Sequence, residues 1–186
     1  RNFSSFSSSS VSILSCQSSP HLVRHIKNLL QDPGFSERLD SAINAAFNEN
    51  NRKRVHMRIE SFLSGELSPS IDVVDFDINS ILGAYIVGYD RILIDNNVLN
   101  SRFIDRVLLE EFGHWLEDGL NDSEGDEGDA FARALLGFDS KSTLSDAHEL
   151  YQYVKLGDQL LKAEFSKESR SSALKEVLER LDGVES

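Results

Sequence analysis

Cysteine is nearly absent from this sequence. The 186 residues contain one, Cys16, beside one methionine, one tryptophan and three prolines. A single thiol cannot form an internal disulfide, so a zinc ribbon, a Cys-x-x-Cys redox site and a disulfide framework are excluded. So little cysteine suits the cytosol, and equally a protein exported without disulfide machinery. Long hydrophobic runs are missing as well: no stretch approaches the roughly 18–20 apolar residues of a membrane span. Basic charge is scarce, with 19 Lys and Arg against 31 Asp and Glu and a formal charge of −12. That balance argues against nucleic acid, whose binding needs a basic footprint. The only basic cluster, Arg52-Lys53-Arg54, reads as a solvated turn or strand edge.

With 40% hydrophobic residues the chain can bury a core, and its length fits one domain with a tail. Ten of the first twenty residues are serine, so residues 1–20 read as a flexible tail or linker and 21–186 as a single domain. The acidity is concentrated. Residues 110–129 hold nine carboxylates and no Lys or Arg, and outside that window acids and bases nearly balance. Like charges packed so densely repel, and a bound cation, a basic partner or solvation must compensate them.

Hydrophobic spacing predicts the elements. Leu22, Ile26, Leu29 and Leu30 mark one helix, and Leu39, Ile43, Ala46 and Phe47 a second, with Pro33-Gly34 between them. Val55, Met57 and Ile59 alternate with polar residues, which predicts a strand. Ile71, Val73 and Phe76 predict another, and residues 82–95 a hairpin. A helix follows from about Asn100 or Ser101 to Asp118, then a loop at 119–127 and a helix from about Glu127 to Leu136. Two more helices are expected at about 145–164 and 167–181. The expected fold class is therefore α+β, mostly helical with a small mid-chain sheet.

The helix after the hairpin carries the chemistry. Ile104, Leu108, Phe112 and Trp115 form its core stripe, and Glu111 falls inside or beside it. Glu110 and His114 stand one turn apart on the flank of that stripe. A buried carboxylate needs a cation, a proton or a hydrogen-bond partner. Ligands at i and i+4 with a carboxylate at i+1 are the pattern of a helix that binds a metal and activates a water. Here Glu110 stands where a first histidine is usual, which makes a harder site, open to manganese or calcium as well as zinc. Glu127, at the start of the next helix, is the candidate third ligand. The helix dipole also favours an acid there.

At these residues the sequence resembles the zincin metallopeptidases, in the branch whose third ligand is a glutamate. Glu111-Phe112-Gly113-His114-Trp115-Leu116, followed by Glu127-Gly128-Asp129-Ala130-Phe131-Ala132, is similar to the ImmA/IrrE-type pattern. Leu108-Leu109-Glu110-Glu111-Phe112-Gly113-His114 with Gly125-Asp126-Glu127-Gly128 also resembles a segment of secreted, repeat-containing calcium-binding bacterial proteins. The resemblance covers residues 84–137. It implies a zincin-like domain with Glu110, His114 and Glu127 as metal ligands and Glu111 as general base. The gap from His114 to Glu127 is short for that branch, which leaves Asp118 or Asp126 as alternative ligands.

The function expected is metal-dependent hydrolysis of a peptide or protein, by a secreted or translocated bacterial protein, with zinc as first choice and calcium or manganese as alternatives. A cytoplasmic location fits the composition too. The competing expectation is a non-catalytic module that binds calcium, or a protein partner through its acidic face.

Overall fold

The computed structural model describes residues 10–120, 126–137 and 153–167. They form strands β1 (Ser10–Ser18), β2 (Ser70–Phe76), β3 (Ile81–Ile86), β4 (Arg91–Asp95), β5 (Tyr153–Leu156) and β6 (Gln159–Lys167). The helices are α1 (Pro20–Gln31), α2 (Pro33–Ala46), α3 (Glu49–Ser64), α4 (Ile104–Glu117) and α5 (Glu127–Leu136). The helix boundaries have local causes. Pro20 and Pro33 sit in first turns, where the missing N–H costs nothing. The side chains of Asp32, Asn48 and Asp126 cap α2, α3 and α5 by accepting from Gly34, Asn51 and Asp129 N–H groups. Gly65, at φ 86°, ends α3 in the left-handed conformation.

The six strands close into a barrel in the order β1-β2-β4-β3-β6-β5. The β3–β4, β3–β6, β5–β6 and β1–β2 pairs are antiparallel, β2–β4 is parallel, and a parallel β1–β5 pair closes the ring. This overturns the expected mostly helical fold with a small mid-chain sheet, and with it the zincin-like architecture. The predicted 82–95 hairpin is present as β3 and β4, but it is one part of a larger closed sheet. Three segments account for the difference. Ser10–Ser18 lies within the predicted tail, yet Val11 and Ile13 point into the barrel and the segment pairs on both edges. Tyr153, Leu156, Leu160 and Leu161 mimic helical spacing, yet Gly157 turns the chain at φ 58° and separates two strands. The predicted helix at 145–164 is therefore a hairpin where it is described, and the one at 167–181 lies outside the described residues. Conversely, the predicted strand around Val55 is α3, whose buried Val55, Ile59 and Phe62 follow helical spacing while Met57 faces solvent.

Two cores result. Inside the barrel, Val11, Val74, Phe76, Ile81, Ala84, Ile86, Leu93, Val154, Ala163 and Phe165 pack together. Outside it, the helices cover one wall, where Ile71, Tyr85, Ile92 and Ile94 meet residues of all five helices. Strands β2, β3 and β4 are thus apolar on both faces, the pattern of a sheet with no wet side. Helix α4 lies at the centre of the outer core, and every residue from Val107 to Leu116 is buried. Its Phe112 ring lies 4.8 Å from Phe62, 5.3 Å from Trp115 and 6.5 Å from Phe131, centroid to centroid. Phe112→Ala empties the middle of this cluster. The expected loss is about 3–5 kcal/mol, measured by denaturant unfolding with an unchanged m-value.

Candidate metal centre

Successive residues of α4 advance by about 100° around its axis, so its chemistry is sorted by direction. Gly113 faces α5. A Cβ there would lie 2.9 Å from the Gly128 Cα, so only a pair of glycines lets the two helices approach this closely. Val107 and Glu111 face the barrel wall, where a Cβ on Gly83 would meet both. Glu110 and His114 point into the crease between α5 and that wall. Gly128 opens the crease from the α5 side: a Cβ there would lie 2.7 Å from His114 Nε2. The end of α4 is fixed by Tyr85 Oη and the Gly88 N–H, both donating to Asp118 Oδ2, and by Trp115 Nε1 donating to Asp90 Oδ1 at 2.8 Å.

Within the crease, donor atoms of Glu110, His114 and Asp126 lie within 4.8 Å of one another. Metal–ligand bonds of about 2.0–2.6 Å put two ligands of one ion no more than about 5 Å apart, so this spacing fits a shared ion. His114 Nε2 is 3.4 Å from Asp126 Oδ1. The other ring edge faces β6 and the end of α4: Nδ1 is 2.7 Å from Glu164 Oε2 and 3.9 Å from Glu117 Oε1. Glu164 lies off the N–H direction, so Nδ1 is buried with a close anion but no aligned hydrogen bond. Glu111 is fully buried. Its Oε1 accepts from Ser166 Oγ on β6, and its Oε2 has no partner.

The electrostatics of the crease are one-sided. Among the described residues, no Lys or Arg pairs with Glu110, Glu111, Glu117, Asp126 or Glu164, whereas Asp129 close by is held by Arg133 at 3.0 Å and Arg106 at 3.6 Å. Burial, reinforced by Asp126 and Asp129, pushes the Glu110 carboxyl up to about 8, and His114 and Arg106 oppose this only in part. Burial also holds Glu111 well above the usual carboxylate range, despite His114. For His114, burial acts against the charged ring, but Glu117, Glu164, Glu111 and Asp126 outweigh it and raise its pKa well above the ordinary value. Protons therefore stand where positive charge is wanted.

The structure brings together two of the three predicted ligands, Glu110 and His114, and adds Asp126, one of the alternatives to Glu127. Glu127 is buried in the first turn of α5, one residue on, and belongs to neither group of converging donors. Asp118, the other alternative, is engaged by Tyr85 and Gly88. Glu111 sits on the adjoining face of α4, turned to Ser166. Sequence reasoning missed Glu164 and Ser166, because residues up to 164 were read as helix. The alternation of Leu161, Ala163 and Phe165 with Lys162, Glu164 and Ser166 after a Gly-Asp turn was the available signal. Comparison with known protein families, curated proteins and solved structures finds no match to this chain.

The raised Glu110 carboxyl makes metal-free stability depend on pH. A group whose folded pKa lies above its unfolded value contributes fully below the unfolded pKa, and that contribution is lost as pH rises through the folded one. For Glu110 the window runs from about 4.5 to about 8, and the raised His114 acts in the same direction. The melting temperature of chelator-treated protein is expected to fall steadily from pH 5 to pH 8, read by calorimetry. A flat profile would contradict the assignment.

Proposed function

We propose that this chain is a divalent-cation-binding domain, with the ion held by Glu110, His114 Nε2 and Asp126. The observation that carries the reading is the convergence of these three donors in one crease where, among the described residues, no Lys or Arg forms an ion pair with Glu110 or Asp126. Glu110 is a buried carboxylate beside the partly exposed Asp126; burying such charge is costly, and a divalent cation is the group of opposite sign that suits one imidazole and two carboxylates. Such a donor set accepts zinc or manganese, and calcium less readily because of the nitrogen. With the ion on Nε2, the ring proton sits on Nδ1, and a small rotation of the Glu164 carboxylate, 2.7 Å away, would align it as the acceptor. A carboxylate behind a ligating imidazole fixes the tautomer and makes the ring a stronger ligand.

A second reading, metal-dependent hydrolysis of a peptide, is favoured by Glu111. Its raised pKa and its one unpartnered oxygen beside the crease suit a proton acceptor. A bound divalent ion supplies Lewis acidity toward a carbonyl and acidifies water. Ser166 would orient the Glu111 carboxylate, which packs against the barrel wall at Gly83.

Metal content after purification, by elemental analysis, and zinc or manganese titration test the first reading. One ion per chain is expected. At free metal about 100 times Kd, binding should raise stability by about 2.7 kcal/mol. His114→Ala should abolish binding and Glu110→Gln should weaken it by up to about 10–100-fold, while Glu127→Gln leaves it within a few-fold of the unaltered chain. If Glu127→Gln abolishes binding and Asp126→Asn does not, the ligand set is wrong. The hydrolase reading is tested separately, on metal-loaded protein with a peptide library. Glu111→Gln should lower turnover by about 10²–10⁴-fold with metal content unchanged. A metal-loaded chain that cleaves nothing leaves the binding domain without that activity.

A further inference from the structure

His114 has two edges, and the centre proposed above uses one. The other opens onto a cavity of about 200 Å³ lined by Tyr85, Asp118, Glu117, Lys162 and Glu164. Nδ1, Glu117 and Glu164 bring their donor atoms within 4.8 Å of one another there. The His114 side chain is 5% exposed, so Nδ1 is enclosed by protein, yet it makes no aligned hydrogen bond. Glu117 and Glu164 are 12% and 32% exposed, so they can be reached from the cavity. Asp118 is already engaged by Tyr85 and Gly88, and Lys162 reaches none of these carboxylates within ion-pair distance. A buried ring nitrogen in contact with two carboxylates, yet without an aligned hydrogen bond to either, has at this open cavity the chemistry of a cation seat.

We propose that the His114 Nδ1, Glu117 and Glu164 group is a second divalent-cation seat, and that it excludes the first. A neutral imidazole offers one lone pair, because its other nitrogen carries the proton. With an ion on Nε2, the proton lies on Nδ1 and faces Glu164. With an ion on Nδ1, the proton lies on Nε2 and faces Asp126, 3.4 Å away. Each edge thus carries carboxylates that serve as ligands in one state and as proton acceptors in the other. One ion per chain is bound at a time, either in the crease or at the cavity, and exchange between the seats moves a proton from one ring nitrogen to the other. The cavity seat is open to solvent and to an incoming molecule, and the crease seat is walled by α5.

Zinc titration of the full chain with four variants tests this. Glu110→Gln/Asp126→Asn removes the crease ligands. It should still bind one Zn²⁺, about 10–100-fold more weakly than the unaltered chain, since Asp126 is then a lost proton acceptor behind the ring. Glu117→Gln/Glu164→Gln should likewise retain one ion, in the crease. His114→Ala, and the combination of both double variants, should bind none. Nitrogen-15 spectra of the ring report the ligated atom directly, and circular dichroism checks that each variant is folded. Zinc-loaded Glu110→Gln/Asp126→Asn should show a ligated Nδ1 and a protonated Nε2. Absence of zinc binding by that folded variant, or ligation of its Nε2, overturns the cavity seat. Two ions bound at once to the unaltered chain overturns the exclusion. If Glu117→Gln/Glu164→Gln loses all zinc while Glu110→Gln/Asp126→Asn binds as the unaltered chain does, the crease centre fails and the cavity seat stands.

Discussion

Everything in this molecule has to accommodate one helix that is covered on every side and still carries ionisable groups. A helix buried all round is normally apolar all round. In α4 the residues from Val107 to Leu116 are all buried, and three of them are Glu110, Glu111 and His114. The remaining architecture can be read as the means of enclosing that helix. Aromatic rings from α3 and α5 fill the side away from the barrel, the Gly113–Gly128 pair admits α5, and Gly83 leaves space for the Glu111 stem. Each glycine marks a direction in which a side chain would have pushed a ligand-bearing face out of place.

The distribution of cations around α4 then decides its chemistry. Arg106 and Arg133 are spent on Asp129, and Arg58 stacks on Trp115 and donates to the main chain at the end of the helix. Among the described residues, the carboxylates nearest His114 form no ion pair with Lys or Arg. A stabilising network would have placed an arginine there, because breaking or omitting one partner of a buried pair is costly. That exception, more than the number of acids, is what sets the crease apart from the surrounding acidic surface.

Much of the site was legible in the sequence and less of the fold was. Glu110 and His114 could be paired because a single helix relates them at a fixed spacing, and Asp126 lay among the alternatives because a helix start limits which acids can face α4. Glu164 and Ser166 could not be placed, since they come from a strand about fifty residues further on, and only its pairing with β3 brings it against α4. The barrel itself was hidden for two reasons. Four of the nine residues of its N-terminal strand are serine, and only Val11 and Ile13 betray an inward face. Its C-terminal hairpin has leucines that fit a helical template as well as an alternating one. The central strands misled in a milder way. Buried on both faces, they lack the alternation that would have announced how large a sheet they belong to.

The parallel pairing of β1 with β5 joins segments from near the two ends of the described chain. Such contacts form late, because the loop that they close is long and the pairing rewards nothing until its ends meet. On a ribosome, α4 and the first four strands would exist before β6 emerges, and so Glu110, Glu111 and His114 would already be covered on their helical sides while the wall bearing Glu164 and Ser166 was missing. The nascent protein would present this charged crease to water until its last strands arrived. The cavity edge of the site is assembled when β6 docks on β3, a step without which the barrel cannot close, and a chain that stops short of β6 lacks both together.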